Sequence, residues 1–146
     1  MVEVRENDVN EAVGRHCIAE LYDGCPEKLN SESFIREALT EAANRSGATL
    51  LSLTSHNFTP QGVTALALLS ESHLSIHTWP ELGYAAVDAF TCGAHTDPKV
   101  ACLYLRDAFV AERSTLKMLK RAIPNVNLRQ FPEACDPTQD VEQTRR

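Results

Sequence analysis

The sequence predicts an α+β fold, a two-layer sandwich in which an antiparallel sheet carries two helices on one face. Two observations lead there. Six β-compatible runs can be picked out, and those in the middle of the chain follow one another across links too short for a crossover, which favours antiparallel pairing. Only two segments carry a helical period, and two helices cover one face of such a sheet. With 146 residues the chain is one domain by length, long enough for a single core. The uncovered sheet face must then be solvated or buried by a partner.

The elements follow in order. Residues 1–11 read as a loose polar leader. Arg15–Tyr22 mixes apolar and polar residues with a period near two, and Asp23-Gly24-Cys25-Pro26 is a turn signal, so the run is a first strand. Asn30 and Ser31 can cap a helix that runs to about Arg45. Phe34, Ile35, Ala38, Leu39, Ala42 and Ala43 recur along it at helical spacing, and Ser46-Gly47 stops it. Ala48–Thr54 reads as the second strand. Gln61-Gly62 opens Val63–Leu69, followed by Leu74–Thr78 and Tyr84–Phe90, the last two parted by Pro80 and Gly83. Asp97 as N-cap with Pro98 in the first turn starts a second helix, for which Val100, Leu103, Tyr104 and Ala108 form the expected buried stripe. Thr115–Ile123 reads as a last strand, and the tail after Pro132 is polar. No internal repeat interrupts this order.

Composition narrows the class. Apolar residues make up 43% and charged residues 23%, as in an ordinary soluble protein. A net charge of −6 and the lack of a basic stripe interleaved with aromatics argue against nucleic acid as a partner. No apolar run approaches the roughly 20 residues of a membrane span, and the acidic, polar start is unlike a secretory signal. Five cysteines, Cys17, Cys25, Cys92, Cys102 and Cys135, form no CxxC pair and are odd in number. They read as reduced thiols of a cytoplasmic protein, without a disulfide framework or a zinc site.

The chemistry is concentrated in Ser70–Cys92. A serine follows a carboxylate residue directly (Glu71-Ser72), a histidine stands five residues on (His77), and a thiol lies further along (Cys92). Taken singly these are a small polar strand residue, a histidine satisfied by a carbonyl, and a small buried hydrophobe. Together they supply what backbone self-cleavage needs. A serine hydroxyl forced against the preceding carbonyl can attack it in an N→O acyl shift. Loss of the α-proton to a base then releases the upstream carboxyl end and leaves dehydroalanine, which hydrolyses to a pyruvoyl group and ammonia. His73 and His77 stand four apart, but on a strand that spacing spans about 13 Å, and with His56 they make a poor metal site.

The whole run, together with Gly14-Arg15-His16 and Phe58-x-Pro60-x-Gly62-Val63, resembles the self-processing segment of the bacterial and archaeal S-adenosylmethionine decarboxylases. These are small pyruvoyl-dependent enzymes of polyamine synthesis. The resemblance implies a cut between Glu71 and Ser72, giving a β chain of residues 1–71 and an α chain of residues 72–146 headed by a covalent pyruvoyl group made from Ser72. No metal or pyridoxal phosphate is expected. It further implies that His77 is the proton acceptor of processing and Cys92 the proton donor of decarboxylation. Phe58 would stack on the adenine and Glu81 would bind the ribose hydroxyls, chemistry that suits an aromatic face and an acceptor-only anion. The implied product is the aminopropyl donor for spermidine biosynthesis, and the implied assembly is a homodimer with active sites near its interface.

Two positions depart from the common family form. Thr64-Ala65 stands where many members have Ser-Gly, although Thr64 keeps a hydroxyl that can support processing. Asn57 replaces a residue that is often basic. Two other readings therefore stay beside the main one: a pyruvoyl-dependent arginine or ornithine decarboxylase on the same fold, and a non-processing homologue that binds or regulates a partner.

Overall fold

A computed structural model describes residues 14–121. The leader, the tail after Pro132, Cys135 and the last residues of the expected final strand lie outside them. The elements are β1 (Gly14–Tyr22), α1 (Pro26–Leu29), α2 (Glu32–Arg45), β2 (Leu50–Asn57), β3 (Val63–Leu69), β4 (Ser72–Trp79), β5 (Tyr84–Thr91), α3 (Pro98–Ala108) and β6 (Arg113–Arg121), with a 3₁₀ turn at Pro80–Leu82. The six strands form one sheet in the order β2-β3-β4-β5-β1-β6, and every neighbouring pair is antiparallel. The expected α+β class and the two-layer arrangement both hold.

Strand alternation sorts the side chains between the two faces. Cys17, Ala19 and Leu21 of β1, Val63, Ala65, Ala67 and Leu69 of β3, Leu74 and Ile76 of β4, and Ala85, Val87 and Ala89 of β5 are buried in the core. They meet Ile35, Ala38, Leu39, Ala42 and Ala43 of α2, which is capped by the Ser31 hydroxyl accepting from the Phe34 amide. The second strand lies at Leu50–Asn57 and not Ala48–Thr54, β4 begins two residues before the expected Leu74, and three further elements differ from expectation. The turn sequence after β1 closes into α1, one helical turn with Pro26 in its first turn, too short to leave a periodic signal. The sixth strand begins two residues early, at Arg113.

The third difference is the buried stripe of α3, which consists of Pro98, Ala101, Cys102 and Leu105, continued by Phe109. Val100 is 38% exposed, and Leu103, Tyr104 and Ala108 are only half-buried. The reason is steric. The sheet surface under this helix is rich in alanine and Cys17, so small residues let the helix approach, while Tyr104 turns outward beneath the Arg45 guanidinium, 4.5 Å from its ring centre.

Among the described residues the opposite face of the sheet carries no helix. Leu66 and Leu68 are 45% and 53% exposed there, beside a cluster of the His16, His73 and Phe90 rings. Its acidic groups are already partnered: His16 Nε2 meets Asp88, and the Tyr84 hydroxyl donates to Glu20. That hydrogen bond, with burial adding to it, pushes the Tyr84 phenol up to about 12.

Candidate active site

The predicted site residues divide into two groups at the two ends of β4. The first lies at the β3–β4 turn. Leu69 and Ser72 are the last cross-strand pair, so Ser70 and Glu71 make the whole turn, and Glu71 takes a left-handed φ of 62°. Two-residue hairpin turns require positive φ, normally supplied by glycine or asparagine. A glutamate there holds strain of about 1 kcal/mol or more at the bond that precedes Ser72. The Ser72 hydroxyl donates to the Ser70 carbonyl at 3.1 Å.

Cys92 closes on this turn from the end of β5. Its Sγ lies 2.9 Å from the Glu71 carbonyl oxygen and donates to it. Burial, and then the Glu71 charge, push the thiol above its ordinary value of 9.0, so it is protonated at neutral pH. The loop that follows holds the cysteine in place. Thr96 Oγ1 donates to the carbonyls of Cys92 at 2.8 Å and Gly93 at 3.1 Å, and Arg15 donates to the Thr96 carbonyl. Gly93 has φ 89°, and a Cβ there would stand 2.9 Å from the His95 ring. The contact between Cys92 and Glu71, 21 residues apart in sequence, depends on strand register and has no local sequence signal.

The second group lies at the other end. His77 Nδ1 is 2.9 Å from Thr64 Oγ1, its cross-strand partner on the open face. The departure from the common serine thus retains a hydroxyl against the imidazole. Around this pair is a cavity of 340 Å³ lined by Phe58, Gln61, Gly62, Thr64, His77, Trp79 and Glu81, among others. Phe58 is 50% exposed, and its ring meets His56 edge-on at 4.6 Å. The loop bearing it is pinned: the Phe58 amide donates to the Gly62 carbonyl at 2.8 Å and the Gly62 amide to Asn30 Oδ1 at 3.0 Å. Buried Thr78 donates to the Leu29 carbonyl and accepts from the Val63 amide, anchoring the cavity floor. Trp79, the single tryptophan of the chain, is 39% exposed and lines the cavity.

The structure therefore brings Phe58, Glu81, Thr64 and His77 together, and separately Glu71, Ser72 and Cys92. Ser72 and His77 are five residues apart on one strand. They sit on opposite faces, about 16 Å apart along its length. Among the described residues no three His, Cys, Asp or Glu side chains cluster closely enough to hold a metal ion, and no helix is long and apolar enough to cross a membrane.

The scaffold is that of a decarboxylase. The structure is similar to the crystal structure of the adenosylmethionine decarboxylase from Aquifex aeolicus VF5, with a TM-score of 0.73 and 34% identity, covering 78% of this chain and 94% of that one. The sequence narrows the class. The family described as S-adenosylmethionine decarboxylase matches residues 15–122. The S-adenosylmethionine decarboxylase proenzyme of Parasynechococcus marenigrum (strain WH8102) is 61% identical over 112 residues, 77% of this chain and 88% of that protein. The proenzyme of Caldicellulosiruptor saccharolyticus is 48% identical over 112 residues, covering 77% and 90%. The chain belongs to the S-adenosylmethionine decarboxylase family and is an enzyme of that family.

Proposed function

We propose that the chain is a cytoplasmic proenzyme that cuts itself between Glu71 and Ser72 and then decarboxylates S-adenosylmethionine, yielding the aminopropyl donor for spermidine biosynthesis. The observation that carries the first step is the Glu71–Ser72 bond itself. The residue before it is left-handed, its carbonyl oxygen rests on a protonated thiol, and the serine hydroxyl is folded back on the same turn. Attack by Ser72 Oγ on the Glu71 carbonyl carbon puts negative charge on the oxygen that Cys92 already contacts, so the thiol is the natural donor to that oxyanion. Processing then needs a base for the α-proton of residue 72, and an imidazole such as that of His77 is the side chain best suited to take it.

His77 cannot serve the Ser72 of its own chain across about 16 Å of strand. A two-fold pairing of open sheet faces brings the His77 end of one protomer towards the Ser72 end of the other, and it buries Leu66, Leu68 and the ring cluster. We therefore read the active protein as a homodimer of processed protomers, with Ser72 and Cys92 from one chain and His77, Thr64, Phe58 and Glu81 from its partner in each site.

The turn fits a pyruvoyl group at position 72: the serine that forms it is present, and the cysteine beside it is held protonated. When formed, that group supplies a carbonyl to capture the substrate amine and an electron sink for the bond to the leaving carboxylate. The chain's own residues do the rest. Phe58 and Trp79 offer faces to the adenine, Glu81 accepts from the ribose hydroxyls, and Cys92 returns a proton to carbon.

Two measurements bear on these roles. Phe58→Ala should raise KM for S-adenosylmethionine about ten- to a hundred-fold, mostly through lost binding, since base–aromatic stacking is worth roughly 1–3 kcal/mol. Because Cys92 must be protonated to act and its thiol is raised, kcat should hold level through neutral pH and fall only above pH 9.0 as the thiol ionises. A fall centred near pH 7 would remove Cys92 as donor. Incubating processed enzyme separately with S-adenosylmethionine, arginine and ornithine, and measuring released CO₂, tests the substrate. Release from S-adenosylmethionine alone is expected, and release from an amino acid instead overturns that choice.

A further inference from the structure

Among the described residues one buried side-chain oxygen lacks a hydrogen-bond partner, Oγ1 of Thr91, on a residue 1% exposed. Native proteins rarely leave a buried hydroxyl orphaned, and the exceptions call for a reason. The strand register supplies one. The β4–β5 ladder runs from Trp79↔Tyr84 to His73↔Phe90. One further step, at the first residue of β4 and the last of β5, sets Ser72 opposite Thr91. Both are buried side chains on the helix-covered face, and directly opposed residues hold their Cβ atoms about 5 Å apart, within reach of two hydroxyls. On its other side Thr91 is paired with Arg15, whose guanidinium donates to the Thr96 carbonyl. The Ser72 hydroxyl is meanwhile turned to the Ser70 carbonyl.

We propose that Thr91 is a positioning residue for self-cleavage, acting through the hydroxyl of Ser72. This rests on the reading of Glu71–Ser72 as the cut bond. In the acyl shift, Ser72 Oγ forms a bond to the Glu71 carbonyl carbon, the carbon–nitrogen bond to Ser72 breaks, and the hydroxyl proton ends on the freed nitrogen. While Ser72 donates to Ser70, its oxygen is committed to the turn. When it swings towards the Glu71 carbonyl carbon that bond is lost, and Thr91 Oγ1, with its lone pairs free, accepts a hydrogen bond from the hydroxyl in its place until the proton passes to the nitrogen. Thr91 thus sits on the nucleophile's side of the scissile peptide, and Cys92, the next residue, contacts the carbonyl oxygen. One strand end supplies both groups.

The test follows the appearance of fragments 1–71 and 72–146 in freshly synthesised full-length chain, for the parent, Thr91→Val and Thr91→Ser. Valine keeps the shape and removes the hydroxyl, and should slow cutting about ten-fold or more, the effect of one hydrogen bond that forms on the way to the transition state. Serine should cut within about three-fold of the parent, since it restores the same kind of hydroxyl. Hydroxylamine should not speed the valine variant, because formation of the ester is the slow event. In chains kept whole by Ser72→Ala, Thr91→Val should melt no lower than Thr91, because the hydroxyl it removes has no partner. Cutting of Thr91→Val at the parent's rate, serine as slow as valine, rescue by hydroxylamine, or a loss of rate accompanied by a lowered Tm would each overturn the role of Thr91. A parent that stays whole would instead overturn the self-cleavage reading, and the role of Thr91 with it.

Discussion

Replacing Ser72 with alanine is expected to leave the chain whole and without decarboxylase activity. The substitution removes the hydroxyl of the turn that carries the Glu71 carbonyl; that hydroxyl donates to the Ser70 oxygen at 3.1 Å. Without it the N→O shift has no nucleophile, and ordinary peptide hydrolysis is slower by many orders of magnitude. The loss is chemical and not structural. Ser72 is a small residue at a strand end, and alanine gives up a single hydrogen bond worth about 1 kcal/mol, so the Tm should change by only a few degrees. Fragments from Ser72→Ala cut at the same bond would show that another group attacks it.

The second large effect is at His77. His77→Ala should reach the ester and stop, because attack by Ser72 does not need the imidazole whereas release of the upstream fragment needs a base. Hydroxylamine should then split the stalled ester after residue 71. Since His77 and Ser72 lie about 16 Å apart along β4, the proposed dimer takes its base from the partner chain. Co-expressing His77→Ala with Ser72→Ala should therefore restore what neither has alone. Random pairing of equal amounts gives about half mixed dimers, each with one intact site, or about a quarter of the parent's activity. A mixture as inactive as its parts would place the base within the same protomer.

Much of this was legible in the chain, and the reasons differ by element. The strands and α2 announce themselves through period and punctuation: Ser31 caps, Gly47 stops, and Val63–Leu69 alternates as a half-buried strand should. The stripe of α3 was not legible, because Val100–Tyr104 and Ala101–Leu105 both read as apolar spacings. The choice between them was made by the small residues of the sheet beneath. The thiol–carbonyl contact of Cys92 was invisible for a related reason, since it joins two strand ends through register. The separation of Ser72 from His77 was half legible: an odd interval on a strand means opposite faces. That this splits the site into two groups follows only once β3 and β5 are seen to flank β4. Trp79 had no legible role, since its place in the cavity wall depends on the end of β4 lying open.

The central claim is self-cleavage at Glu71–Ser72 that converts the serine into a pyruvoyl group, and an intact-mass spectrum of the purified protein tests it most directly. The account predicts two components, residues 1–71 with a free carboxyl end and residues 72–146 lighter than a serine-headed fragment by one ammonia. A single mass for the whole chain, or a second fragment that still begins with serine, would contradict it.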